Sequence, residues 1–122
     1  MYNPVNELKT TIKNLKAARE VMEGAALARG VFARAANGRP VEVASSSACK
    51  FCTIGAVAKA MGVEGEDILY GSPERHYLEK VMDDIVVQND KHNTKKKHIL
   101  MAFDFAILQA EDDLKAAKKA AK

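Results

Sequence analysis

Apolar residues recur at steps of three and four through the first segment, where Leu8, Ile12, Leu15, Ala18 and Met22 are interleaved with Lys9, Lys13, Lys16, Arg19 and Glu20. That period predicts an amphipathic helix of about 18 residues, started by Asn3-Pro4 as a cap and a first-turn proline. Gly24 and Gly30 loosen the following stretch, and Asn37-Gly38-Arg39-Pro40 marks a turn. Residues 31–43 read either as a short hairpin, with Val31-Phe32 and Val41 to Val43 as arms, or as an irregular loop. Ser45-Ser46-Ser47 offers helix caps before residues 48–61, where only Lys50 and Lys59 are charged and Gly62 follows as a stop. A helix apolar nearly all round belongs in the centre of a bundle. Its small residues Cys52, Gly55, Ala56 and Ala60 would let neighbouring helices come close.

The second half continues in the same period. A short turn or helical piece covers residues 67–70. Ser72-Pro73-Glu74 then supplies a cap, a first-turn proline and an acid at the positive end of the helix dipole. Tyr77, Leu78, Val81, Met82, Ile85 and Val86 carry that helix to Gln88. A polar loop leads to Thr94 as the expected cap of the last and longest helix. There Leu100, Phe103, Ile107, Ala110, Leu114 and Ala117 keep the alternating spacing of a packed seam, free to pack internally or against a second copy. The Ala/Lys end, residues 115–122, is helix-prone but expected to fray. The predicted fold is all-α: one domain over residues 1–122, a bundle of four main helices with the irregular or hairpin segment at 31–43.

Composition agrees with an ordinary globular domain. The chain has 122 residues, 48% of them apolar, with 7 Gly, 3 Pro and no Trp. No apolar run approaches the ~18 residues of a membrane span, and the start has no secretory pattern, so a cytoplasmic location is expected. Two cysteines are no disulfide framework. A formal net charge of +3 is too small to name a nucleic-acid partner. It is, however, concentrated: residues 91–98 hold four lysines, two histidines and no acid.

From Leu27 onward the chain shows Gly30, Ala33, Arg34, Gly38 and Val41, then Phe51-Cys52 with Gly55-Ala56, then Asn89-Asp90 with Thr94, then Phe103-Asp104 with Ala106-Ile107. In this order the residues resemble an uncharacterised family of small bacterial and bacteriophage proteins, a domain of unknown function. Ala35 stands where that pattern has Asp, and Gln88 where an aromatic is usual. The resemblance marks Arg34, Cys52, Gly55, Asn89, Asp90, Thr94 and Asp104 as positions of interest and implies no activity.

Four features invite chemistry. Cys49-Lys50-Phe51-Cys52 allows a redox pair, half a zinc site with His92 and His98, or a nucleophile at Cys52 with His92 as base. The simpler reading of Cys52 is a small buried packing residue. Asp104 lies among apolar neighbours in Met101-Ala-Phe-Asp-Phe-Ala-Ile-Leu108. A carboxylate held near a core needs a cation, so a structural link from Asp104 to Arg34 is expected, with Arg29 as substitute. Asn89-Asp90 reads as loop closure and capping. Lys91, Lys95, Lys96 and Lys97 are either a solvated face or, with Thr94 and the free N–H groups of the helix start, a site for a phosphate or an acidic partner. No catalytic constellation, metal set or cofactor motif stands out. The expected function is therefore a non-enzymatic interaction or regulatory module that binds another protein, including a host factor. A nucleic-acid or phosphate binder and a thiol enzyme centred on Cys52 are the alternatives.

Overall fold

The computed structural model describes residues 4–69, 71–82, 84–91 and 93–121. Asn3, Tyr70 and His92 lie outside them. Pro4 opens helix α1 (Pro4–Glu23), which buries Thr11, Ile12, Leu15, Ala18 and Met22, the predicted stripe widened by one threonine. Leu8 packs at its edge. At the other end of the chain, α6 (Lys96–Ala120) runs to within two residues of the C-terminus. The two helices lie against each other, with α2 (Thr53–Met61) also on α1, and α4 (Pro73–Val81) also on α6. Contact on two sides makes the buried stripe of α6 broader than a single seam. Ile99, Ala102, Phe103, Ala106 and Ala110 are fully covered, while Leu100, Ile107 and Leu114 pack at the border.

The segment between α1 and α2 is where the structure departs from an all-α bundle. Three two-residue strands, β1 (Ala26–Leu27), β2 (Ala33–Arg34) and β3 (Lys50–Phe51), form a small sheet in the order β1-β3-β2. β3 pairs parallel with β1 and antiparallel with β2, setting Leu27 and Ala33 on either side of Phe51. Among the described residues the chain therefore has six helices and a three-stranded sheet. The turn at residues 37–40 forms a tight hairpin, but its rungs are Arg34 opposite Pro40 and the Val41 N–H donated to the Ala33 carbonyl at 3.1 Å. Its first arm is thus displaced from Val31-Phe32 to residues 33–35.

Residues 48–51 are extended rather than helical, because their backbone groups are taken up by neighbours across the sheet. The Cys49 N–H reaches the Arg34 carbonyl and the Cys49 carbonyl accepts from Ala26. The serines at 45–47 consequently cap no helix. Cys52 is the cap of α2, and Gly62 closes it in the left-handed region as predicted. The expected helix from Ser72 to Gln88 is two helices. Ser72 caps α4, its hydroxyl accepting from the Arg75 N–H at 3.1 Å. Asp84 then takes a left-handed φ of 49° before α5 (Ile85–Asp90). This break turns Ile85 and Asn89 into the interior and leaves Val81 on the surface. Between α2 and α4 the short helix α3 (Gly65–Leu69) packs on α2.

Candidate binding cleft

Asn89 is 2% exposed and uses its whole side chain. Its Oδ1 accepts from the Thr53 N–H (2.8 Å) and hydroxyl (2.7 Å), and its Nδ2 donates to the Ala28 carbonyl (3.0 Å) and to Asp90 Oδ1 (3.1 Å). An amide offers two donors and two acceptor sites, so the group is saturated. Asn89 thereby joins the start of α2, the segment after β1 and the end of α5. Asp90 extends the network by accepting the Gly30 N–H at 3.0 Å. Gly30 holds φ at +80°, a conformation that side chains with a Cβ rarely adopt.

Two arginines tie the same segment from its other side. Arg34 donates to the carbonyls of Gly38 (2.9 Å) and Arg29 (3.0 Å). Arg29 donates through Nε to the Lys91 carbonyl at 3.2 Å and through Nη2 to that of Thr94. Both guanidiniums are therefore engaged with backbone carbonyls, and the expected Arg34–Asp104 link does not form. Asp104 is on the far side of α6, exposed, and chelated by Arg19 of α1 at 2.5 and 3.3 Å. Of the apolar residues around it in the chain, Ala102, Phe103 and Ala106 turn to the core, while Met101, Phe105 and Leu108 are exposed as Asp104 is. Arg19 also holds Glu23 at 2.8 Å, and the Asp104 hydrogen bond raises its affinity for the proton further.

Gly55 supplies the close approach. A Cβ there would sit 2.1 Å from the Phe32 carbonyl oxygen, so the first turn of α2 presses directly on the backbone of the 28–34 segment. The small residue admits a strand-like segment, where the expectation was a neighbouring helix. Cys52 Sγ accepts the Gly55 N–H at 3.2 Å as the helix cap. Burial pushes the Cys52 thiol up to about 11, against the opposing pull of backbone N–H groups. It is a packed, protonated thiol at neutral pH, while Cys49 is exposed and also free. Among the described residues no group of His, Cys, Asp and Glu has metal-site geometry. His92, the proposed base or ligand, lies outside them.

Over this network opens a cleft of about 660 Å³. Phe32, Val41, Val43, Ile54 and Val86 give it apolar walls, and Cys52, Asn89 and Asp90 stand in its lining. Glu42, Glu64 and Glu66 join Asp90 there, and among the described residues no lysine or arginine lines it. The three glutamates carried no local signal: Glu42 stands between two valines and Glu64 and Glu66 on either side of Gly65, and only the fold brings residues 40–43 and α3 to one cleft. The lysines behave differently. Lys96 Nζ donates to the Glu23 carbonyl at 2.7 Å, closing the C-terminal end of α1. His98 Nδ1 accepts the Lys95 N–H at 2.9 Å, and Lys95, not Thr94, is the cap of α6. Lys91, Lys95 and Lys97 are exposed.

The marked positions Arg34, Cys52, Gly55, Asn89, Asp90 and Thr94 thus meet around one network, and Asp104 stands apart. A family model described as a family of unknown function, DUF6197, matches residues 7–109. The chain belongs to that family. No curated protein and no solved structure matches it.

Proposed function

We propose that this member of the family is a non-enzymatic interaction module whose cleft takes a basic, partly apolar segment of a partner protein. The observation that carries the reading is the lining of the cleft: four carboxylates and, among the described residues, no basic side chain, in a chain whose formal net charge is +3. Apolar walls beneath an acidic rim suit a segment in which aliphatic and basic residues alternate. The aliphatic groups supply burial, and the charges supply steering and discrimination. A phage-borne copy would direct the same cleft at a host factor. The buried, high-pKa Cys52 supports binding over thiol catalysis, since the thiolate is the nucleophile. The engagement of Lys96 and His98 in helix closure supports it over a phosphate site at the start of α6.

The test is fluorescence anisotropy with a labelled peptide alternating Arg and Val, beside its Glu/Val counterpart and free spermidine, with amide NMR shifts mapping the contact. The basic peptide should bind and move the resonances of Gly30, Ile54 and Val86. Glu64→Lys combined with Glu66→Lys should weaken it by at least about tenfold. Equal binding of the acidic peptide, shifts confined to residues 91–98, or spermidine competing at the same concentration as the peptide would each overturn the reading.

A further inference from the structure

The face of α6 opposite its buried stripe carries a second line of apolar side chains. Met101, Phe105 and Leu108 are 53%, 53% and 54% exposed, and they follow one another at steps of four and three. On a helix this spacing keeps them in one row. The row is bounded by Lys97 four residues before Met101 and by Asp112 four residues after Leu108, both exposed and both in line with it. Beside it a groove of about 400 Å³ runs between α6 and the α4–α5 junction, lined by Val81, Met82 and Ala102 as well as Met101 and Phe105.

We infer that this row is a two-fold interface at which α6 of one protomer packs antiparallel on α6 of a second copy. The row is nearly its own complement under reversal. With the axis between Asp104 and Phe105, Met101 of one protomer meets Leu108 of the other, and Lys97 meets Asp112. One apolar centre and two equivalent ion pairs result, as an isologous contact requires. Asp104, at the flank of the row, is already neutralised by Arg19, so pairing brings no unpaired carboxylate against the ring. The internal seam is occupied by α1 and α4, so this outer row is free for a partner. Residues 97–112 span about 22 Å of helix, which places the contact among small interfaces and the dimer in fast exchange with monomer.

Sedimentation velocity of the full chain, from low concentration to about 200 µM, reads the result. A reversible monomer–dimer equilibrium is expected, and Phe105→Glu, at a half-exposed position, should leave a folded monomer by circular dichroism. Lys97→Asp and Asp112→Lys should each weaken self-association by about tenfold or more, because both ion pairs become repulsions. An equimolar mixture of the two variants should recover it, since the heterodimer restores opposite charges at both contacts. A wild-type chain that stays monomeric throughout, a dimer indifferent to Phe105→Glu, or a mixture no better associated than its components would overturn the inference.

Discussion

The two ends of the molecule are held together by different physics. Where α1 crosses α6, the contact is apolar: Leu15, Ala18, Met22, Phe103, Ala106 and Ala110 are fully buried, and the polar links, Lys16 to Glu111 and Arg19 to Asp104, lie at the exposed edge. Around the cleft, the contact is made by directed hydrogen bonds to backbone groups. Asn89, Asp90, Arg29 and Arg34 fasten a segment with almost no regular structure to α2, α5 and the start of α6. Burial is non-directional and tolerates repacking. A saturated amide network fixes one geometry, because each unmade bond strands a buried group. The cleft is built at the end where position is fixed most tightly.

The largest expected loss of stability is at the apolar end. Phe103→Ala should cost about 3–5 kcal/mol in urea unfolding, while peptide affinity of the folded fraction stays unchanged. Asn89→Ala, at the other end, should cost about 3 kcal/mol by leaving the Thr53 N–H and hydroxyl and the Ala28 carbonyl without their partner. Unlike Phe103→Ala, it should also lower peptide affinity, measured by anisotropy. If Asn89→Ala lost stability alone, the two ends would not differ in what they hold in place. Gly55→Ala forces α2 away from Phe32 and should cost about 2 kcal/mol, with NMR shifts at Phe32 and Cys52 rather than at Phe103.

A smaller effect reports on a buried acid outside both regions. Glu74, in the first turn of α4, is 2% exposed, and its Oε1 has no hydrogen-bond partner among the described residues. Burial raises its pKa, and Glu7 adds to the rise. A raised folded pKa means that the native state holds the proton more tightly than the unfolded chain. The contribution of Glu74 is therefore fully present below the unfolded pKa of about 4.3 and is lost as pH rises through the folded value. Glu74→Gln should remove that loss. Its stability relative to the unsubstituted chain, followed by urea unfolding across pH, should grow through this range and then level. Asp104→Asn should have the smallest effect, below about 1 kcal/mol and shrinking with added salt, because its pair with Arg19 is exposed.

The helices α1, α4 and α6 were legible because each carries its own evidence: a repeated apolar step, a proline in the first turn or a long unbroken seam. The sheet was not. Its strands have two residues each, too short for alternation to register, and residues 48–51 read as helix because they are as apolar as the helix that follows. The marked residues were legible as positions and misread as partners. Arg34 and Asp104 looked like complementary charges, yet neither the side chain's face nor the distance between segments is written in local order.

The sequence by itself determined where the long helices α1 and α6 run and which face of α1 turns inward, since periodicity and capping act within a few residues of chain. Only the tertiary structure decided that Asn89 faces Thr53 and Ala28, that Gly55 meets Phe32, and that three glutamates and Asp90 line one cleft. Those contacts join residues tens of positions apart, and hydrogen-bond geometry, which selects among them, exists only once the chain has packed.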